Sequence, residues 1–315
     1  MKKIAVLPTL LTLGNGICGF VAITFTSKIV SDGDITNFVL TKVGTDIPAA
    51  LMTEIRDKIV VDNETNFMWA GWFLLLAMLF DMLDGYVARL SNTQSDFGGE
   101  LDSLCDVVSF GITPAFLLLK LGPGWDNGPL HMLLAGIAAL YFSCAALRLA
   151  RFNVENDPDA ASHKKFRGLP SPGAAGCIAA LAIVRGEFAA TLASRWGWIQ
   201  SGVDLEALRG AIYVSVQVLA PIVALGVALL MVSNVPFPHL TGKIFRGKKH
   251  LGHLVQVLLA AFIILAFRPL APLLVFWVYA FIFPLRSVLF KPAADEVPPP
   301  VEPAKQPDEQ APSKS

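Results

Sequence analysis

Long apolar runs alternate with shorter polar connections along most of the chain. The runs cover about 4–26, 67–88, 101–121, 129–150, 171–190, 211–233, 251–267 and 269–290. A helix needs about 20 apolar residues to cross the hydrocarbon core of a bilayer, and each run is near that length. The pattern predicts an all-α, polytopic membrane bundle with six core transmembrane helices and two C-terminal ones. The last two runs are short and meet at Arg268-Pro269, as a tight hairpin would. Lys2 and Lys3 precede the first run, as in a signal peptide. That run is too long for one, however, and Thr26-Ser27-Lys28 offers no small-x-small cleavage site, so it is expected to stay as a membrane helix. Residues 292–315, rich in Pro, Glu, Lys and Gln, read as a disordered tail. The expected division is a membrane domain over 1–240, an additional transmembrane hairpin over 241–291, and the tail.

Composition agrees with this pattern. The 315 residues are 54% hydrophobic and only 16% charged, against about a quarter charged in a soluble domain. Lys plus Arg and Asp plus Glu are both 25, which excludes a basic nucleic-acid binder; disordered and disulfide-scaffold classes are excluded by the apolar content and the four cysteines. Cys18, Cys105, Cys144 and Cys177 all lie in apolar runs without a CxxC pair, and read as small core residues. The zero net charge hides an uneven distribution. Segment 31–66 holds seven acids and three bases, whereas 148–167 and 239–250 are basic. Outside the tail, 14 Lys and Arg fall on the face shared with the N-terminus and 9 on the other. The positive-inside rule then places both termini in the cytoplasm, in a protein of the cytoplasmic (inner) membrane.

Four carboxylates lie inside the apolar runs, where ionised groups are costly and usually functional. Asp81 and Asp84 are three residues apart, and Asp102 and Asp106 four apart, so each pair shares a helical face. Taking Arg89 as the end of the second run, Asp84 lies ~7.5 Å and Asp81 ~12 Å inside at 1.5 Å per residue. Taking Gly98 as the start of the third, Asp102 lies ~6 Å and Asp106 ~12 Å inside by the same rise. Two antiparallel helices joined by a short loop bring both pairs to one level. Four unbalanced carboxylates repel one another. Two divalent cations neutralise them, and oxygen-only ligation suits Mg²⁺ or Mn²⁺. Paired ions of this kind serve phosphoryl chemistry. Gly85, Ala88, Gly98 and Gly99 around the pairs allow close helix packing or close approach of a flat ligand.

The full spacing is Asp81-x2-Asp84-Gly85-x2-Ala88-Arg89-x8-Gly98-x3-Asp102-x3-Asp106. It resembles the motif of the CDP-alcohol phosphatidyltransferase family at all eight fixed positions. The stretches 97–111, 147–153 and 168–172 further resemble the phosphatidylserine synthase branch, over roughly 4–240 of the chain. One departure is Pro8-Thr9, where such sequences often read Pro-Asn; Thr12 and Asn15 match. The resemblance implies transfer of a phosphatidyl group from CDP-diacylglycerol to L-serine, with release of CMP, by metal-assisted direct displacement, in a homodimer surrounded by membrane lipids. It implies that Asp81, Asp84, Asp102 and Asp106 hold the metals, with Asp106 also the base. Asp84, Gly85, Ala88, Arg89 and Gly98 would face the cytidine nucleotide. Asn15, Arg148, Arg151, Asn153, Arg167 and Ser171 are candidates for binding substrate or phosphate.

The residues themselves support part of this. Arg148 and Arg151 lie one turn apart at the expected cytoplasmic end of the fourth run, and Arg suits phosphate or carboxylate; the alternative is that they only anchor the helix to headgroups. Arg167 and the Gly168–Pro172 turn either place the acceptor or only start a helix. The choice of serine comes from the resemblance alone, and a sister enzyme using glycerol phosphate, inositol phosphate or choline is the nearest alternative. A cation-coupled transporter is the alternative of another class, but its carboxylates would be spread through the membrane depth rather than clustered. Gly14-x-Gly16-x-x-Gly19 fits the dinucleotide pattern, yet lies in an apolar run without a βαβ context, and reads as helix packing.

Overall fold

The computed structural model describes residues 6–30, 35–43, 48–90, 96–123, 129–155, 168–195, 204–233, 235 and 269–282. Every element among them is helical: α1 (Val6–Ser27), α2 (Ile35–Val43), α3 (Ala49–Leu90), α4 (Asp96–Asp106), α5 (Thr113–Leu121), α6 (Pro129–Glu155), α7 (Ser171–Arg195), α8 (Leu205–Val232) and α9 (Leu270–Trp277). A π-helical turn, Val107–Ile112, joins α4 to α5, and a second, Val278–Ile282, continues α9. The expected 251–267 run, the basic segment 239–250 and the tail lie outside the described residues.

Five stretches among the described residues are long and apolar enough to cross a membrane: 6–27, 49–88, 97–121, 129–154 and 207–232. The protein is an integral membrane protein, and its large exposed side chains, such as Leu10, Ile17 and Phe20 on α1 and Val218, Ile222 and Leu229 on α8, present the apolar surface that lipid requires. The sixth expected core span, α7, has 25 residues, long enough to cross a hydrocarbon core, but carries Arg185 and Glu187 within it. Its place in the bundle explains why that is tolerated. The α7 helix packs against α3, α8 and α9, and its residues 173–184 are all buried, many of them Ala and Gly. A helix surrounded by protein is selected for small size rather than for contact with lipid.

Two glycines set the α3–α7 crossing. A Cβ on Gly71 would lie 2.7 Å from the Ala179 carbonyl oxygen, and one on Gly186 would lie 2.3 Å from that of Glu64. Backbone cannot move aside cheaply, so Gly71→Ala is expected to destabilise by about 1–3 kcal/mol, the usual cost of overpacking. A clear drop in melting temperature in detergent reports this; Gly136→Ala, where nothing lies within 4 Å, serves as the control.

The segment 31–66, expected as an acidic connection, is largely helical where described. It contains α2 and the first part of α3. With 42 residues, α3 is about 63 Å long at 1.5 Å per residue, twice the thickness of a hydrocarbon core. The sequence carries the signal for this. Met52, Ile55 and Ile59 continue, at helical spacing, the inward stripe of Asn63, Phe67, Ala70, Leu74 and Ala77. Acidic residues on the other faces obscured the stripe. Asn63 fastens α3 to the end of α1, donating to the Val30 carbonyl at 2.8 Å and accepting from its N–H at 3.0 Å.

At this same end of the bundle, Glu64 lies 3.9 Å from Arg185 and 3.7 Å from Arg209, and Trp72 donates to Glu187 at 3.3 Å. Arg185 also stacks over the rings of Phe67 and Tyr213. These charges join α3, α7 and α8. They went unflagged in the sequence because their partners are more than a hundred residues apart.

Candidate active site

The four carboxylates meet at the opposite end of the bundle from the Glu64 cluster. Asp81, Asp102 and Asp106 each offer an oxygen, and the three oxygens lie within 4.8 Å of one another. Asp84 is 5% exposed and lies beside Asp102, close enough for the two carboxylates to repel each other. The helical spacing that put each pair on one face of α3 and α4 therefore also put them at one depth.

This donor set suits a divalent metal ion. It is all oxygen, as Mg²⁺ and Mn²⁺ prefer. Oδ1 of Asp102 is buried and has no hydrogen-bond partner, so the carboxylate is only partly satisfied by protein groups. A buried, unpaired charge is unfavourable unless a counter-charge compensates it. The Asp81–Asp102–Asp106 group can hold such an ion.

Helix α1 forms the wall behind Asp106. Asn15, fully buried, donates from Nδ2 to Asp106 Oδ1 at 2.9 Å. Close approach of α1 makes this possible. A Cβ on Gly16 would lie 2.9 Å from Cys105 Sγ, and one on Gly19 would lie 2.9 Å from the Ser109 Cα. The Gly14–Gly19 pattern is thus a packing face, as its apolar context predicts.

The π-helical turn begins immediately after Asp106. Its wider winding leaves backbone carbonyls to be satisfied by neighbours. The Tyr141 hydroxyl donates to the Phe110 carbonyl at 3.1 Å, and Thr113 Oγ1 lies 2.8 Å from the Val108 carbonyl and 3.2 Å from that of Gly19. Ser109 Oγ donates to the Asn15 carbonyl at 3.0 Å. The turn and α1 are thereby tied at the height of Asp106. Sequence reasoning missed Ser109, Thr113 and Tyr141; a run of β-branched, Gly and hydroxyl residues inside an apolar span was the available sign.

The other candidates divide. Arg148, on α6, donates from Nη1 to Ser171 Oγ at 3.0 Å and interacts electrostatically with Asp106. Ser171 is buried at the start of α7. Arg151 and Asn153 are exposed on the last turns of α6, and Asn153 donates to Ser103 Oγ of α4 at 2.8 Å, bridging the two helices at the mouth of the site. Gly85, Ala88 and Gly98 are half-buried beside the carboxylates, whereas Gly99 faces open space. Arg167 and the side chain of Arg89 lie outside the described residues.

The Gly168–Pro172 turn has a structural cause as well. Gly168 adopts φ +91°, and a Cβ there would lie 2.4 Å from the Met231 carbonyl oxygen. Its N–H bonds the Val235 carbonyl and that of Leu169 bonds Leu230, which ties the start of α7 to the end of α8. Only glycine readily meets both requirements.

The membrane-embedded helical bundle gathers at one end carboxylates that could hold a metal ion, and the model of the CDP-alcohol phosphatidyltransferase family matches residues 5–283. The chain belongs to that family and is a transferase by membership.

Among curated proteins it is 36% identical over 172 residues to the CDP-diacylglycerol–serine O-phosphatidyltransferase of Methanocaldococcus jannaschii, covering 55% of this chain and 65% of that protein. It is 34% identical over 227 residues to the enzyme of the same name from Helicobacter pylori, covering 71% and 81%. It is 42% identical over 104 residues to the archaetidylserine synthase of Methanothermobacter thermautotrophicus, covering 32% and 41%. The matched stretch thus spans just under two thirds of the first of these proteins and most of the second.

Proposed function

We propose that the protein transfers the phosphatidyl group of CDP-diacylglycerol to the hydroxyl of L-serine and releases CMP. The observation that carries this reading is the convergence of three carboxylates within 4.8 Å, with Asp84 beside them, on the family's spacing. Serine as acceptor rests on the matched relatives, whose names share serine although they differ in the lipid.

In this reading Asp81, Asp84, Asp102 and Asp106 hold Mg²⁺ or Mn²⁺, two ions when fully loaded. When bound, the metal supplies positive charge against the pyrophosphate and the departing nucleotide. Asp106 accepts the proton of the serine hydroxyl as that oxygen bonds to the lipid-side phosphorus. The phosphorus–oxygen bond to CMP breaks, and CMP leaves with the bonding electrons. Asn15 holds Oδ1 of Asp106, which leaves Oδ2 to face the hydroxyl. Such positioning of a general base is usually worth about 10²–10⁴-fold in rate.

Gly85, Ala88 and Gly98 leave room for the cytidine nucleotide, and Arg89 is a candidate to bind it. Arg148 and Ser171 bind on the acceptor side, with Arg151, Asn153 and Arg167 as further candidates for binding phosphate or carboxylate. The site faces the cytoplasm of the inner membrane, where free serine arrives, with both termini on that side. The protein works as a homodimer.

Purified protein given CDP-diacylglycerol and a panel of alcohols tests the reading. CMP release is expected with L-serine, and little with glycerol phosphate, inositol phosphate or choline. Release with one of those and none with serine overturns the acceptor assignment.

A further inference from the structure

The last of the described helices packs directly on the bundle. The α9 helix and its π-helical continuation lie along the first half of α7. Phe276 rests on Gly176, where a Cβ would lie 2.2 Å from the ring. Trp277 Nε1 reaches the Cys177 carbonyl at 3.5 Å, and Leu273, Tyr279 and Phe281 pack on the main core. The two glycines at 173 and 176 are what let this second helix come so near.

Tyr279 brings a hydroxyl to this contact. Its ring lies over Gly173, where a Cβ would be 3.1 Å from Cε1. Gly173 is two residues after Ser171, which accepts the hydrogen bond of Arg148 at 3.0 Å. The Tyr279 and Arg148 side chains interact electrostatically, and Arg148 in turn senses Asp106. Thus α6, the start of α7 and the C-terminal π-helical turn each contribute one polar side chain to a spot beside the carboxylates. Nε of Arg148 is buried and lacks a hydrogen-bond partner, so the guanidinium keeps donor capacity for a further acceptor.

We propose that Tyr279 is a positioning residue for the acceptor substrate: it holds the Arg148 guanidinium beside Ser171, and this trio receives the acceptor's carboxylate. The inference rests on the acceptor reading given above. Arg and two hydroxyls form a donor set for a planar oxyanion. A phosphate of the nucleotide lipid shares that chemistry. The trio comes from α6, α7 and the π-helical turn that follows α9, not from α3, whose Gly85 and Ala88 are assigned to the nucleotide, and this favours the carboxylate. A tyrosine acting through arginine affects how firmly the acceptor is held, and leaves the reacting atoms alone.

The test uses the purified full-length protein and follows CMP release with L-serine or with L-serinamide, which lacks the carboxylate. Tyr279→Phe is expected to raise the KM for L-serine about tenfold, the effect of one charge-assisted hydrogen bond. The KM for CDP-diacylglycerol should stay unchanged, and the preference for serine over serinamide should shrink by a similar factor. Arg148→Lys should raise the serine KM as well, and the double variant should add little to it, because the two side chains act together. KM does not depend on the fraction of protein correctly folded, so partial misfolding cannot imitate this result.

A shift in the KM for CDP-diacylglycerol instead assigns the trio to phosphate and overturns the inference. So does an unchanged serine KM in Tyr279→Phe, which leaves Tyr279 a packing residue. If the Phe variant does not fold, Ser171→Ala tests the same trio, and an unchanged serine preference overturns it. A wild-type protein that turns over another alcohol and not serine fails the underlying reading, whatever Tyr279 does.

Discussion

Asp106→Asn is expected to lower CMP release by roughly 10²–10⁴-fold, the range for loss of a positioned base. The substitution keeps the size of the side chain. It removes the charge that accepts the serine proton and one of the three converging oxygens. It also changes the partnership with Asn15, whose amide now donates to a carboxylate at 2.9 Å. The fold is expected to survive, because the helices around Asp106 are held by Ser109, Thr113 and Tyr141 rather than by Asp106 itself. Single-turnover CMP release, with melting temperature measured in parallel, checks both halves. An Asp106→Asn protein that turns over at the wild-type rate rules out Asp106 as the base.

The second large effect concerns Asp102, and it has opposite signs in two measurements. In the metal-free protein, Asp102 adds a carboxylate beside Asp84, Asp81 and Asp106 and keeps a buried oxygen without a hydrogen-bond partner. Asp102→Asn relieves that repulsion, so the metal-free variant should melt at a higher temperature than the metal-free wild type. Metal-loaded wild type should gain about 2.7 kcal/mol at a metal concentration of 100 times Kd, by mass action. The variant should lose most of that gain, together with nearly all turnover. Melting curves with and without Mn²⁺ make the comparison. This is the expected pattern of a site that sacrifices stability for function. A variant that gains as much stability from Mn²⁺ as the wild type contradicts the assignment of Asp102 as a ligand.

The part of this architecture legible in the sequence follows from short-range geometry. Asp81 with Asp84, and Asp102 with Asp106, could be paired because helical spacing fixes which side chains share a face. Their common depth followed from two spans joined by a short loop, and the structure brings the same residues together. The packing role of the Gly14–Gly19 pattern was readable because an apolar span cannot supply a βαβ unit. Asn15 matched a motif, but its contact with Asp106, 91 residues away, was not deducible from spacing.

What stayed hidden depends on long-range contacts. Tyr279 meets the Arg148–Ser171 pair only because α9 folds back along α7, and no periodicity in 269–290 announces that. The half-buried Glu64–Arg185–Arg209 group was invisible for the same reason. The length of α3 was misjudged because a run of acids and bases masks an amphipathic stripe that is clear once Met52, Ile55 and Ile59 are aligned with Asn63. The π-helical turn after Asp106 is a departure from regular winding, and intrinsic propensities do not encode it.

The central claim is that the clustered carboxylates bind divalent ions that the transfer to serine requires. The most direct measurement is L-serine-dependent CMP release by the purified protein before and after exhaustive chelation. Release should need both CDP-diacylglycerol and L-serine, vanish after chelation, and return on adding Mn²⁺ or Mg²⁺. Serine-dependent release that continues at the same rate in the fully chelated protein contradicts it.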